Sequence, residues 1–103
     1  MILVNTDFIT GQEVETLTVV KGSTIQSKNI GKDILAGLKT IIGGELDGYS
    51  DMLNEARAIA TKRMVKEAEA LEADAVINIR YATSNVMQGA AEVMVYGTAV
   101  KFK

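Results

Sequence analysis

The chain has 103 residues, 48% of them hydrophobic and 5% aromatic, with 13 acidic against 11 basic side chains and a net charge of −2. That length supports one hydrophobic core and not two, and the near-balanced charge leaves no electrostatic footprint for nucleic acid or an anionic membrane as partner. Cys and His are both absent, which removes disulfides, thiolate nucleophiles, the commonest metal ligand and the commonest general base.

In chain order, Ile2 to Val4 predicts a short strand, followed by a polar turn through Asp7, Thr10 and Gly11. Val14 to Ser27 is rich in Val, Thr and Ile and predicts one long strand. Gly22 within it marks a bulge or a close backbone approach. Asn29, with Ser27 as a second polar candidate, caps a short helix in which Ile30, Ile34, Leu38 and Ile41 recur at three- and four-residue spacing, ended by Gly43-Gly44. A long helix follows from Ser50 to about Glu72, with Leu53, Ala56, Ala60, Met64, Ala68 and Leu71 on one stripe. The Ala-rich face lets another backbone come close, and Arg63 and Glu67 pair at i,i+4 on its flank. Ala75 to Thr83 and Ala91 to Phe102 are two β-rich runs, joined as a hairpin through the polar stretch Ser84 to Gly89. The order ββααββ predicts a single α+β domain over residues 1–103: a meander-like antiparallel sheet packed by one long and one short helix.

The last strand does not alternate in polarity. Val93, Val95 and Ala99 point one way and Met94, Tyr96, Val100 and Phe102 the other. Helices on one side leave the second apolar face open, a liability in a monomer that a second copy would cover. Assembly into a ring would also close free sheet edges. The alternative is a sheet curled on itself, with Gly22 and Gly97 as corners. No stretch approaches the ~18 apolar residues of a membrane span, and the apolar N-terminus lacks a basic leader; a cytoplasmic protein is the expectation.

Few residues suggest chemistry. Gly43-Gly44 lacks any phosphate-loop companion and fits a helix stop. Glu45, Asp47 and Asp51 offer oxygen donors without the regularity of a calcium loop, and suit the start of a helix. Arg57 and Arg80 each fall near an apolar stretch, where a guanidinium calls for a dedicated carboxylate or ligand. Tyr49 precedes the long helix and either packs with its hydroxyl bonded to backbone or faces a ligand. Without His, no activated nucleophile can be assigned to the Ser and Thr residues, and no catalytic residue is named.

The run GGELDGYSDMLNEARAIATKRMVKEAEALEADAVINIRY from Gly43, together with YGTAV at Tyr96 to Val100, resembles the YbjQ-like family of small bacterial and archaeal proteins over essentially the whole chain. Glu72 stands where that pattern typically carries Gly. The resemblance implies the α+β order given above, a homopentamer and a heavy-metal-binding label. The residues argue against the label, since soft metals want thiolate, thioether or imidazole and this chain has none of the first or third kind; no metal ligand or cofactor is assigned. The function expected is a non-enzymatic homo-oligomeric small-ligand-binding or scaffold protein. Tyr49, Arg57 and Arg80 are its candidate ligand-binding residues, converging at subunit contacts. The alternatives are metal binding or sensing, and a weakly acting enzyme with intersubunit sites.

Overall fold

A computed structural model describes residues 1–27 and 47–103 of the chain. The elements are β1 (Ile2–Leu3), β2 (Val14–Ser27), α1 (Asp47–Ala70), β3 (Ala75–Met87) and β4 (Ala90–Phe102). The expected short helix, its Asn29 cap and the Gly43-Gly44 stop lie outside the described residues. Among the described residues the order is therefore ββαββ, where the sequence suggested ββααββ.

The sheet runs β1-β3-β4-β2. β2–β4 and β3–β4 are antiparallel, as expected. β1 corrects the all-antiparallel expectation, because it pairs parallel with β3, Ile2 opposite Ala75 and Leu3 opposite Val76. The reason is reach: a short turn would set β1 beside β2, whereas residues 4–13 let the N-terminal arm cross to the far margin of the sheet. The expected longer hairpin loop is also corrected. β3 continues to Met87, which pairs with Ala90, so that only Gln88 and Gly89 turn the chain, Gly89 at φ 77°.

Two irregularities set which side chains reach the core. In β3 the pairing shifts between Ile77 and Arg80, and Asn78 lies at φ 54°, a conformation Asn tolerates better than most residues. Val76 and Ile79 therefore both face α1, although plain alternation would send residues three positions apart to opposite faces, while Ile77 faces away. A second shift, between Thr16 and Thr18 of β2, turns Leu17 toward the helix side.

α1 packs on β2 and β4 through Ala56, Ala60, Met64 and Ala68, all fully buried. These meet Val20, Val76, Val93, Val95 and Ala99 in the main core. The predicted stripe is thus observed except at its ends: Met52 is buried, Leu53 only partly, and Leu71 is exposed because the helix has already ended. The small stripe allows a very close approach. A Cβ at Gly22 would collide with the Ala60 carbonyl oxygen and lie 2.5 Å from the Met64 amide nitrogen. Of the two sequence readings of Gly22, close approach is the one observed.

The helix exit explains Glu72. The Ala73 amide donates to the Ala68 carbonyl (3.1 Å) and the Glu72 amide to the Glu69 carbonyl (2.9 Å). This is the double bond of a Schellman stop. Its left-handed position, usually filled by Gly, is held by Glu72 at φ 59°. A left-handed L-residue costs about 1–2 kcal/mol, partly offset by the smaller unfolded-state entropy of a non-Gly residue. The exposed Glu72–Lys101 pair at 4.0 Å adds little. Glu72→Gly is therefore expected to stabilise the protein by about 0.5–1 kcal/mol, read as a higher denaturant midpoint with unchanged slope.

The second face has its own smaller core. Ala75, Ile77 and Val100 pack with Val4, Ile9, Val14 and Phe102. The N-terminal arm thus supplies, at one end of the sheet, cover that the sequence reading assigned to a second copy or to the sheet curling on itself. Over the rest of this face, β2 presents Val19, Lys21, Ser23 and Ile25, opposite Thr98, Tyr96, Met94 and Glu92 of β4. Arg80, Ala82 and Ser84 of β3 complete the rows. Val19 and Ile25 are 63% and 61% exposed and Tyr96 is 41% exposed, with Met94 half-buried between them.

Candidate functional site

The helical row Tyr49, Leu53, Arg57, Thr61 runs along the flank of α1 that faces β3. Two of its members bond to that strand. The Tyr49 hydroxyl donates to Asn85 Oδ1 at 3.2 Å, and Thr61 Oγ1 lies 2.8 Å from the Tyr81 hydroxyl. Because Thr61 already gives its single proton to the Arg57 carbonyl, at 2.7 Å, Tyr81 is the donor of that pair. Tyr49 also borders an open groove of about 500 Å³ lined by Asn85, Val86, Met87, Gln88 and Gly89. The backbone partner weighed for its hydroxyl is in fact a side chain.

Arg57 is exposed and donates through Nη1 to Asn54 Oδ1 at 2.6 Å. Among the described residues its partner is a neighbour on its own helix.

Arg80 lies on the other side of the sheet. Tyr81 reaches α1, so the alternation of β3 sends Arg80 to the open face. Its Nη1 donates to the Asn5 carbonyl (3.1 Å) and the Ile79 carbonyl (3.0 Å). A guanidinium that suggested a carboxylate or ligand is therefore clamped on backbone, tying the N-terminal arm to β3. Within one chain Tyr49 and Arg57 share a surface, and Arg80 is separated from both by the sheet.

Three features escaped the sequence reading. Arg80 and Lys21 flank Tyr96 in one cross-strand row. With strands ~4.8 Å apart, the backbones of Arg80 and Lys21 stand about 10 Å from each other on either side of Tyr96, with the Arg80 guanidinium held at the Asn5 carbonyl of the N-terminal arm. Only the strand order shows it, since the three residues are far apart in sequence. The Thr61–Tyr81 pair has no sequence signal either. Arg63 and Glu67, expected to pair with each other, instead reach β2 separately: Arg63 Nη1 donates to the Ser23 carbonyl (2.7 Å), and Glu67 Oε1 accepts from the Lys21 amide (3.3 Å).

Of the oxygen donors, Asp51 is exposed in the first turns of α1, Asp47 opens the same helix, and Glu45 lies outside the described residues. Among the described residues no three acidic side chains come together where they could share a metal ion. Also among them, no helix is long and apolar enough to cross a membrane.

Comparison with known proteins gives a consistent picture. A family model, YbjQ, described as "putative heavy-metal-binding", matches residues 1–103. A UPF0145 protein of Clostridium novyi is 76% identical, with 98% of each chain covered. One from Alkaliphilus metalliredigens is also 76% identical, with 99% of each covered. A UPF0145 protein of the archaeon Methanosarcina acetivorans is 57% identical over 98% of this chain and 96% of its own. Among solved structures, a Pediococcus pentosaceus protein of unknown function from the DUF74 family superposes with a TM-score of 0.67 at 19% identity, covering 100% of this chain and 98% of that one. The last likeness is one of fold.

Proposed function

The chain belongs to the YbjQ family, and on that premise we propose that it works as a non-enzymatic homo-oligomeric protein that binds a small anionic ligand or scaffolds a partner. One observation carries this reading: the open face of the sheet holds Val19, Ile25 and Tyr96 exposed beside Met94. Such a face is sheltered at least cost by sister chains. The described residues extend over 55 × 24 × 17 Å with a radius of gyration of 17.1 Å, against about 13 Å for a compact domain of 100 residues. A long, thin shape of this kind gains burial when copies pack side by side. A ring of five, as the resemblance implies, repeats Lys21, Tyr96 and Arg80 around its axis, so weak single contacts add. Tyr49 and Arg57, on the other surface, are the second candidate contact.

The family's heavy-metal label finds no support in the donor set. The whole sequence lacks thiol and imidazole, leaving five Met as its soft donors. Of these, Met64 is fully buried and Met52 nearly so. No thiolate or imidazole is there to hold a soft metal.

Native mass spectrometry of untagged protein tests the proposal. Five copies carrying a retained small anion support the binding reading, and five bare copies support the scaffold. A single compact chain at micromolar concentration would sink both.

A further inference from the structure

Among the described residues β2 is a margin of the sheet, with β4 on its inner side only. Lys21 and Ser23 are two residues apart, so their N–H and C=O groups turn the same way, outward. α1 covers part of this margin with side chains. Glu67 accepts the Lys21 amide proton and Arg63 donates to the Ser23 carbonyl. Glu67 stands in the last turn of α1, where the helix dipole disfavours a carboxylate and no basic residue compensates. Its place there makes sense as a partner for the strand.

We infer that Arg63 and Glu67 form a guard that keeps the free edge of β2 from pairing with the β2 of a second copy. The unguarded edge is self-complementary. Two β2 strands laid antiparallel about Gly22 set Lys21 against Ser23 and Val19 against Ile25. All four carry outward backbone groups, and the second pair brings together the two most exposed aliphatic side chains of the strand. A long edge of this kind seeds edge-to-edge aggregation. Two oppositely charged side chains that occupy one outward amide and one outward carbonyl at its centre break the run of backbone bonds that a second strand needs. The guard is independent of the assembly proposed above, which uses the open face and not this edge.

Amide hydrogen exchange on the unaltered protein reads the guard directly. The Lys21 amide is expected to exchange at least tenfold more slowly than the outward-facing amides of Val19 and Ile25. Equal rates overturn the inference, and so does strong protection at all three, which would mean the edge is already paired. The double variant Arg63→Ala/Glu67→Ala keeps both Cβ atoms, including the Arg63 Cβ that packs beside Gly22. It is expected to aggregate several-fold faster by thioflavin fluorescence than Lys62→Ala/Glu69→Ala, a change of equal charge at exposed positions of the same helix. Aggregation no faster than in that control overturns the inference. If the double variant does not fold, the exchange rates decide alone.

Discussion

Gly22→Ala is expected to lower stability by about 3 kcal/mol, at the upper end of what overpacking costs. For a domain of this size that is a fall of roughly 15 °C in melting temperature. The added methyl would meet the Ala60 carbonyl oxygen, the Met64 amide nitrogen and, at 3.0 Å, the Arg63 Cβ. Two of these are main-chain atoms, which no rotamer change can move. Relief requires α1 to lift from β2, which opens the contacts of Ala56, Ala60 and Met64 with Val20 and Val95. Gly11→Ala is the matched control, because nothing lies within 4 Å of its position and only its φ of 76° is strained. It is expected to cost about 1 kcal/mol. Denaturant titration of both variants separates the effects, and equal losses would show that the helix does not sit this close to the strand.

The second large effect concerns the proposed assembly. Val19→Lys/Met94→Lys places two charges on the open face of each copy. In a lone chain this costs little, since Val19 is mostly exposed and Met94 half-buried, and a lysine stem can lie along the surface with its ammonium in water. Within an assembly that covers this face, each ammonium loses its water without a partner. Sedimentation over a range of concentrations is expected to show at least a 100-fold weaker association, or about 3 kcal/mol, with the circular dichroism spectrum unchanged. A variant that associates as tightly as the parent would remove the open face from the interface.

How far the sequence discloses this molecule depends on whether the signal is local. The long helix follows from periodicity, β2 and β4 follow from runs of strand-favouring residues, and β2 is observed at its predicted bounds, Val14–Ser27. The close approach at Gly22 was also legible, because a lone Gly in a β-rich run and an Ala stripe on a helix imply one another. β1 was misplaced for the opposite reason. Its partner lies more than seventy residues away, and the bonds that fix it run from the Asn78 amide to the Thr6 carbonyl and from the Ile79 amide to the Val4 carbonyl. No pattern within Ile2 to Val4 announces them. The candidate site divides in the same way. Tyr49 and Arg57 share a face because four-residue spacing puts them there, whereas the grouping of Arg80 with Tyr96 and Lys21 depends on strand order. Arg63 and Glu67 were read as partners since they are neighbours on one helix. The edge of β2 offers each a backbone group that the other cannot supply.

The strand order has a consequence for how the protein is made. β4, the last strand of the sequence, sits between β3 and β2, so the sheet has no interior until those thirteen residues leave the ribosome. Until then the fourteen-residue β2 waits without β4, through the synthesis of everything between. Folding therefore waits for β4, and a nascent chain stalled before Ala90 should be held by chaperones and digested readily by protease.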